Sequence, residues 1–298
     1  MIHWPSYIQS LVRRGEILFS YDFLDVWDDD LAKMNENKDG KKYQFPDSFI
    51  LVIGYIRVYF HLPYRQTEGI IKATGKSLPD HPSYSQICKR VNKLDIINNR
   101  MGIDDDDDEK NIVIAIDSTG IKVTNRGQWI FDKWNIRKKG YLKIHIAVNI
   151  KTKEILALEV TDEKSHDGKV MPKLIEHVLK INNDNIKIKS TLGDGSYDSN
   201  DNFEYLQKKR IKPAIKVRKN SIISSKNNNI RNREAKFQTR DLLKWKKRRR
   251  YGQRWIVETV FSSIKRMFGE YASATKFQNM VKEMMMKVSL YNLFRRLA

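Results

Sequence analysis

The sequence predicts an α/β protein in which a mixed-sheet domain follows a small all-helical one. Three observations carry this: helical apolar spacing from Tyr43 to Leu94, a run of acidic residues from Asp104 to Glu109, and beyond it β-branched runs alternating with helix-patterned stretches. The expected organisation is a helical region over 1–103, an acidic connector over 104–110 and the mixed-sheet domain over 111–298.

In the helical region, the apolar run Phe49 to Phe60 is interrupted by Gly54 and Arg57. It is shorter than the roughly 20 residues a membrane-spanning helix needs, so it reads as a core helix. Two further helical stretches, Tyr64 to Thr74 and Ser83 to Leu94, are separated by Gly75 and the Pro79/Pro82 segment. Their spacing resembles a helix-turn-helix with a long turn, in which Ser83, Tyr84 and Ser85 offer N-capping hydroxyls and Lys89, Arg90 and Lys93 would meet phosphates. A small helical bundle with solvated basic side chains fits the same pattern. The acidic run cannot pack against itself, because like charges repel and each carboxylate prefers water, and it reads as a linker.

After the linker, Asn111 to Ile116 is a continuous apolar run suited to a strand buried on both faces, and Asp117 ends it. Tyr141 to Asn149 and Glu154 to Thr161 are two more strands, joined by the turn-like Lys151-Thr152-Lys153 as a hairpin. Lys169 to Ile181 has helical spacing and Ile186 to Leu192 returns to a strand before Gly193-Asp194-Gly195, so a helix crosses over to a fourth strand. Ser199 to Lys209 follows as a helix and Lys212 to Val217 as a fifth strand. Lys219 to Arg250 is polar, basic and poor in apolar periodicity, the pattern of a surface excursion. Two long helices, Gly252 to Phe268 and Asn279 to Leu297, close the chain.

A formal charge of +20 at pH 7 and a pI near 9.8 point to a polyanionic partner, nucleic acid first, although a ribosomal or membrane-surface protein shares that balance. The single cysteine, Cys88, excludes an intrachain disulfide and a cysteine-based zinc site. With no secretory pattern after Met1-Ile2-His3-Trp4-Pro5, a cytoplasmic, nucleoid-associated protein is expected.

Asp117 and Asp194 stand in equivalent situations, each at the end of a buried strand, where side chains project into the crevices that bind ligands. Taken alone, either also reads as a turn-forming cap. The third acid lies on the helix after Tyr251. At about 100° per residue, Ile256, Val257, Val260, Ile264, Met267 and Phe268 form one apolar stripe, whereas Tyr251, Arg254, Glu258 and Lys265 fall within about 60° of one another on a second. Arg254 and Glu258 also pair as a simple surface salt bridge. Three gathered carboxylates suit two magnesium ions, because hard cations prefer oxygen ligands and neutralise the repulsion between acids. Two ions about 3.5 to 4 Å apart stabilise the entering and leaving oxygens of a phosphodiester displacement. Arg254, Lys265 and the Lys246 to Arg250 cluster would contact phosphates.

The spacing Tyr251-x2-Arg254-x3-Glu258-x6-Lys265 resembles the C-terminal signature of the IS5-like group (IS4/IS5 superfamily) of prokaryotic insertion-sequence transposases at all four positions. Asp117-Ser118-Thr119-Gly120 and Gly193-Asp194-Gly195-Ser196-Tyr197 are similar to its two aspartate contexts. Tyr141-Leu-Lys-Ile-His145, Ser165-His166-Asp167 and Leu62-Pro-Tyr-Arg-Gln-Thr-Glu-Gly69 also look like that group. The resemblance implies an RNase H-like catalytic domain preceded by a small DNA-binding helical domain. It implies a DDE set of Asp117, Asp194 and Glu258 as catalytic and metal-binding residues, and DNA contacts from Tyr251, Arg254 and Lys265. It further implies Mg2+ as cofactor, with Mn2+ able to substitute, and double-stranded DNA as partner, both terminal inverted repeats and target, bound by a homodimer or larger assembly. A nuclease without strand transfer and a catalytically silent DNA-binding protein are the rival readings. His145, His166 and His177 are left out of the site, Asp162 and Asp167 rank as supporting acids, and Trp129 and Trp134 read as packing residues before base-stacking ones.

Overall fold

The computed structural model describes residues 3–74, 78, 80–96, 111–123, 141–181, 187–221, 223 and 229–297. In chain order the elements are helices α1 (Trp4–Phe19), α2 (Trp27–Asn35), α3 (Asp47–Tyr59), α4 (Tyr64–Thr74) and α5 (Tyr84–Val91). Strands β1 (Asn111–Val123), β2 (Tyr141–Asn149) and β3 (Ile155–Asp162) follow, then α6 (Asp167–Ile181), β4 (Lys187–Gly193), α7 (Asn200–Lys208) and β5 (Lys212–Ile215). The chain continues through α8 (Ile230–Arg240), α9 (Leu242–Arg249), α10 (Trp255–Phe268), β6 (Tyr271–Ala272) and α11 (Phe277–Arg296). They form two compact units, Met1–Arg100 with Ser273–Ala298, and Met101–Ala272.

In the first unit α3 is the core helix, with Phe49, Ile50, Ile53 and Tyr55 buried. Its Phe49 ring meets those of Phe23 and Trp27 at 4.9 and 5.3 Å. The absence of a side chain at Gly54 admits Met286 of α11, which a methyl group there would strike. Tyr55 and Ser289 share a 2.7 Å hydrogen bond, Lys282 donates to the Leu94 carbonyl, and Glu283 accepts from the Ser273 and Ala274 amides. The last helix therefore packs with the N-terminal helices, whereas the sequence reading placed it in the domain 111–298. Its physical reason is visible in α11 itself. Buried residues lie on most of its sides, Met280, Met284, Val288, Leu290 and Phe294 among them, so no single apolar stripe announced its neighbours.

The start of α5 shows what the local signals mean, while Gly75 and Pro79 of the expected long turn lie outside the described residues. Ser83 caps α5 in a reciprocal box with Gln86, whose side chain accepts from the Ser83 amide at 2.9 Å. Lys89 and Lys93 are exposed. Arg90 is not available for phosphate: it pairs with Asp47 at 2.6 Å, donates to the Phe45 carbonyl and lies over the Tyr43 ring.

The second unit is built on a sheet of order β3-β2-β1-β4-β5, with β6 beside β1. β1, β2 and β3 pair antiparallel, and β4 and β5 join parallel after the α6 and α7 crossovers. This is the mixed α/β, RNase H-like arrangement that the resemblance implies. Two expectations need correction. β1 does not end at Asp117 but runs to Val123, because Ser118 to Lys122 continue the ladder with β2. The basic stretch Lys219 to Arg250 is not a featureless excursion, since it contains α8 and α9, whose Trp245 is fully buried. The Asp104 to Glu109 run, Trp129 and Trp134 lie outside the described residues.

Strand alternation sorts β1 into two faces. Ile112, Ile114 and Ile116 join Val170, Leu174 and Phe203 in the core under α6 and α7. Ser118 continues that face, opposite His145 of β2. Around them Asp167 accepts from Ser118 Oγ at 3.0 Å and from Lys143 Nζ at 2.6 Å, and His145 Nε2 bonds Thr161 Oγ1 at 2.9 Å. His145 thus sits on the face away from Asp117. Burial, with the Lys143 charge, holds its pKa down to about 4 despite Asp167 nearby.

Two stability outcomes follow from this packing. Leu174→Ala, at a fully buried core position, should cost about 2–5 kcal/mol in urea unfolding, because the cavity adds to the lost transfer energy. For His145 the unfolded chain takes up a proton below its ordinary 6.5, whereas the folded protein does not until about 4. Stability from this residue is therefore present above pH 6.5 and is lost towards pH 4, by up to about 1.4 kcal/mol per pH unit. Unfolding free energies compared across that window should show a shallower acid slope in His145→Gln than in wild type.

Candidate active site

Asp117 points from the other face of β1, the one covered by α10. β4 is parallel to β1 with Leu192 beside Ala115, so the chain leaving β4 brings Asp194 to the level of Asp117. Asp194 caps a single helical turn, Gly195–Tyr197, accepting from the Ser196 amide at 2.8 Å and from the Ser196 hydroxyl. A side chain at Gly193 would crowd the Tyr197 ring, so this strand end needs glycine to let the fully buried tyrosine turn under it.

α10 buries Ile256, Val257, Val260, Phe261, Ile264 and Phe268, which is the expected stripe with Phe261 in place of the half-buried Met267. Packing by that stripe aims Glu258 outward, and 56% of its side chain is exposed. Tyr251–Arg254 forms its own tight turn before the helix, so the helical arithmetic does not extend back to Tyr251. Arg254 nevertheless reaches two acids. Its Nη1 donates to Asp117 Oδ2 at 2.9 Å, across 137 residues of sequence, and its Nη2 donates to Glu258 Oε1.

The other oxygen of Asp117 accepts from the Ser118 amide at 2.8 Å. Burial, reinforced by the charge of Asp194, raises the Asp117 carboxyl above the ordinary range against the pull of that amide and of Arg254. Tyr251 packs on Trp245, with ring centres 5.0 Å apart, and burial pushes its hydroxyl up to about 12. Asp117, Glu258 and Lys265 line one open cleft with Ser118, Thr119, Ser262 and Arg266, of about 540 Å³.

The structure thus joins Asp117, Glu258 and Arg254 directly, puts Lys265 in the same cleft and sets Asp194 within electrostatic reach of Asp117. Among the described residues no three His, Cys, Asp or Glu side chains are gathered closely enough to share a metal ion. The donor chemistry still fits a hard divalent cation, since all three acids offer carboxylate oxygens and a guanidinium already bridges two of them. Asp167 is engaged on the opposite face, Asp162 accepts from Ser165, and His177 faces Glu159 at the surface. Sequence reasoning missed Ser262 and Arg266, although their positions four and eight residues after Glu258 place them on its helix face. It also missed Trp245, whose role depends on packing that no local pattern announces, and it named Tyr197 only as part of the second aspartate's motif, not as the buried ring beneath Gly193.

Among solved structures, the Drosophila P element transposase strand transfer complex shares 12% identity over 91% of this chain and 69% of its own, with a TM-score of 0.37. Likeness at that level places no residue. Two sequence-family models, each described as a transposase DDE domain, match residues 108–293 and 12–126. The first spans more than half of the chain, including every residue of the cleft, and on that match the chain belongs to the transposase DDE-domain family of DNA-cleaving and strand-transferring enzymes.

Proposed function

We propose that this chain is an insertion-sequence transposase of the IS5-like group that cuts DNA at the ends of its element and joins the freed 3′-hydroxyls to target DNA. Asp117, Asp194 and Glu258 are its catalytic carboxylates. The observation that carries the reading is the Arg254 bridge, because it draws a strand acid and a helix acid into one cleft of a family-matched, strongly basic chain. Divalent ions, Mg2+ in the cell, would supply Lewis-acid stabilisation of the entering and leaving oxygens.

The residues themselves do the rest. The three carboxylates would be the ligands for those ions. Asp117 is fixed by the Ser118 amide, and Asp194 by the amide and hydroxyl of Ser196. Lys265 lines the cleft and Arg254 bridges two of its acids, so both cations are placed to orient a phosphate, and Tyr251 begins the turn that carries Arg254. The exposed Lys244, Lys247, Arg248 and Arg250 extend the positive surface and hold duplex DNA without regard to sequence. Joining two element ends calls for at least two copies on DNA. No helix among the described residues is long and apolar enough to cross a membrane.

Magnesium-dependent cleavage and joining of labelled DNA carrying the element's ends tests this. Asp117→Asn and Glu258→Gln should each lower the cutting rate more than about 100-fold while leaving DNA retention in gel shifts intact. Cutting without joining by wild type points to a nuclease, and binding without cutting to a silent DNA-binding protein; either result refutes the proposal. Arg254 contributes a second outcome. Its guanidinium competes with a divalent ion for the same oxygens, so Arg254→Gln should lower the Mn2+ concentration that half-saturates the DNA-free protein by about tenfold, while weakening its hold on DNA. Paramagnetic resonance of free Mn2+ reads the first effect, and an unchanged midpoint would remove Arg254 from the metal's place.

A further inference from the structure

The basic stretch before α10 touches both the turn that follows Asp194 and the turn that ends in Arg254. Asp198, four residues after Asp194, has only 1% of its side chain exposed, and Arg231 of α8 forks onto it, Nε to Oδ1 at 2.7 Å and Nη2 to Oδ2 at 3.0 Å. The Arg218 amide and Ser221 hydroxyl complete the shell at 3.0 and 2.8 Å, and Arg231 also donates to Ser221. Burial disfavours this carboxylate, yet its donors outweigh burial and hold its pKa below the ordinary range. The Arg218 guanidinium donates from Nε to the carbonyl of Gly195, the residue after Asp194, at 2.7 Å.

One turn further along α8, Glu234 accepts from Trp245 Nε1 at 2.8 Å and from Arg249. Trp245 carries the ring of Tyr251, the first residue of the turn that ends in Arg254, and Arg254 bridges Asp117 and Glu258. Gln238 anchors the same helix to β5 through the Ile215 carbonyl and the Val217 amide. A single helix thus reaches the turn of Asp194 on one side and the turn of Arg254 on the other.

We propose that α8 and its Arg218 strut are a positioning device for the active site: Arg231, through Asp198, and Arg218, through Gly195, fix Asp194, whereas Glu234, through Trp245 and Tyr251, fixes Arg254. The proposal rests on the reading of Asp194 as a catalytic carboxylate. It makes Arg231, Asp198, Arg218 and Glu234 positioning residues, because none of them reaches the cleft.

The test uses the full chain with Mg2+, DNA ends and, separately, Mn2+ alone. Arg231→Gln should lower kcat for cutting by about tenfold or more and raise the half-saturating Mn2+ concentration of the DNA-free protein, with KM for DNA within about twofold of wild type. Arg231→Lys, which keeps the charge but not the fork, should recover only part of the loss. Because Arg231 is largely buried and its loss also threatens folding, the exposed Arg218 supplies the second variant. Arg218→Ala should reproduce the smaller kcat and weaker Mn2+ binding at an unchanged melting temperature. Arg218→Lys should fail to rescue it, whereas a residue that merely touches phosphate would be rescued by lysine. Wild-type kcat and Mn2+ binding in both Arg218 variants overturn the proposal. Asp194→Asn runs alongside: if it still joins DNA, the reading of the site has failed, and if it is inactive while the Arg218 and Arg231 variants are not, the positioning role alone has failed.

Discussion

Asp117 and Glu258 come from a strand and a helix far apart in sequence, and two carboxylates in one cleft repel each other unless a cation lies between them. Arg254 is that cation, and both of its bonds depend on the rest of the second unit. β1 must carry its ladder past Asp117 so that the carboxylate is held in mid-strand, and α10 must pack by Val257, Val260 and Ile264 so that Glu258 faces outward beside Arg254 of the preceding turn. The parallel pairing of β4 then sets Asp194 at the same level, adding a third negative charge whose effect is felt in the raised Asp117 carboxyl. A site so charged favours positive partners, whether guanidinium or divalent ion, and repels DNA phosphates until its acids are neutralised.

The sheet was legible because its strands are buried on both faces. Asn111 to Ile116 is an apolar run that suits a doubly covered strand, Tyr141 to Asn149 and Glu154 to Thr161 flank a turn-like Lys151-Thr152-Lys153 as a hairpin does, and the crossover helix at 169–181 fixed where the parallel strands begin. The helix face bearing Arg254, Glu258 and Lys265 was legible for the same reason, since a strong apolar stripe leaves one direction for the polar residues. The extent of β1 was not. Asp117, Ser118 and Thr119 look like the end of a strand because they are polar, yet their backbones pair with β2 while their side chains serve two different faces.

Two larger features lay beyond local pattern. α8 and α9 are rich in Lys, Arg, Asn and Gln, and they are held by polar side chains placed in the interior, Asn232, Glu234 and Gln238 among them, together with Trp245. Hydrogen-bonded burial of that kind has no hydropathy signature. α11 fails in another way: buried on most sides, with Glu283, Lys287, Ser289 and Asn292 among its buried residues, it shows no stripe that names its neighbours, and contacts such as Met286 against Gly54, Ser289 against Tyr55 and Phe294 against Tyr59 assign it to the N-terminal helices.

The central claim is that Asp117, Asp194 and Glu258 are ligands to divalent ions beside bound DNA, with Arg254 moved from the acids to a phosphate. A crystal of the protein–DNA complex grown with Mn2+, read by the anomalous signal of manganese, tests it directly. The account predicts manganese peaks on the oxygens of all three acids, with Arg254 turned to the DNA backbone. Manganese bound elsewhere, or an Arg254 still bridging Asp117 and Glu258 in the loaded complex, would contradict it.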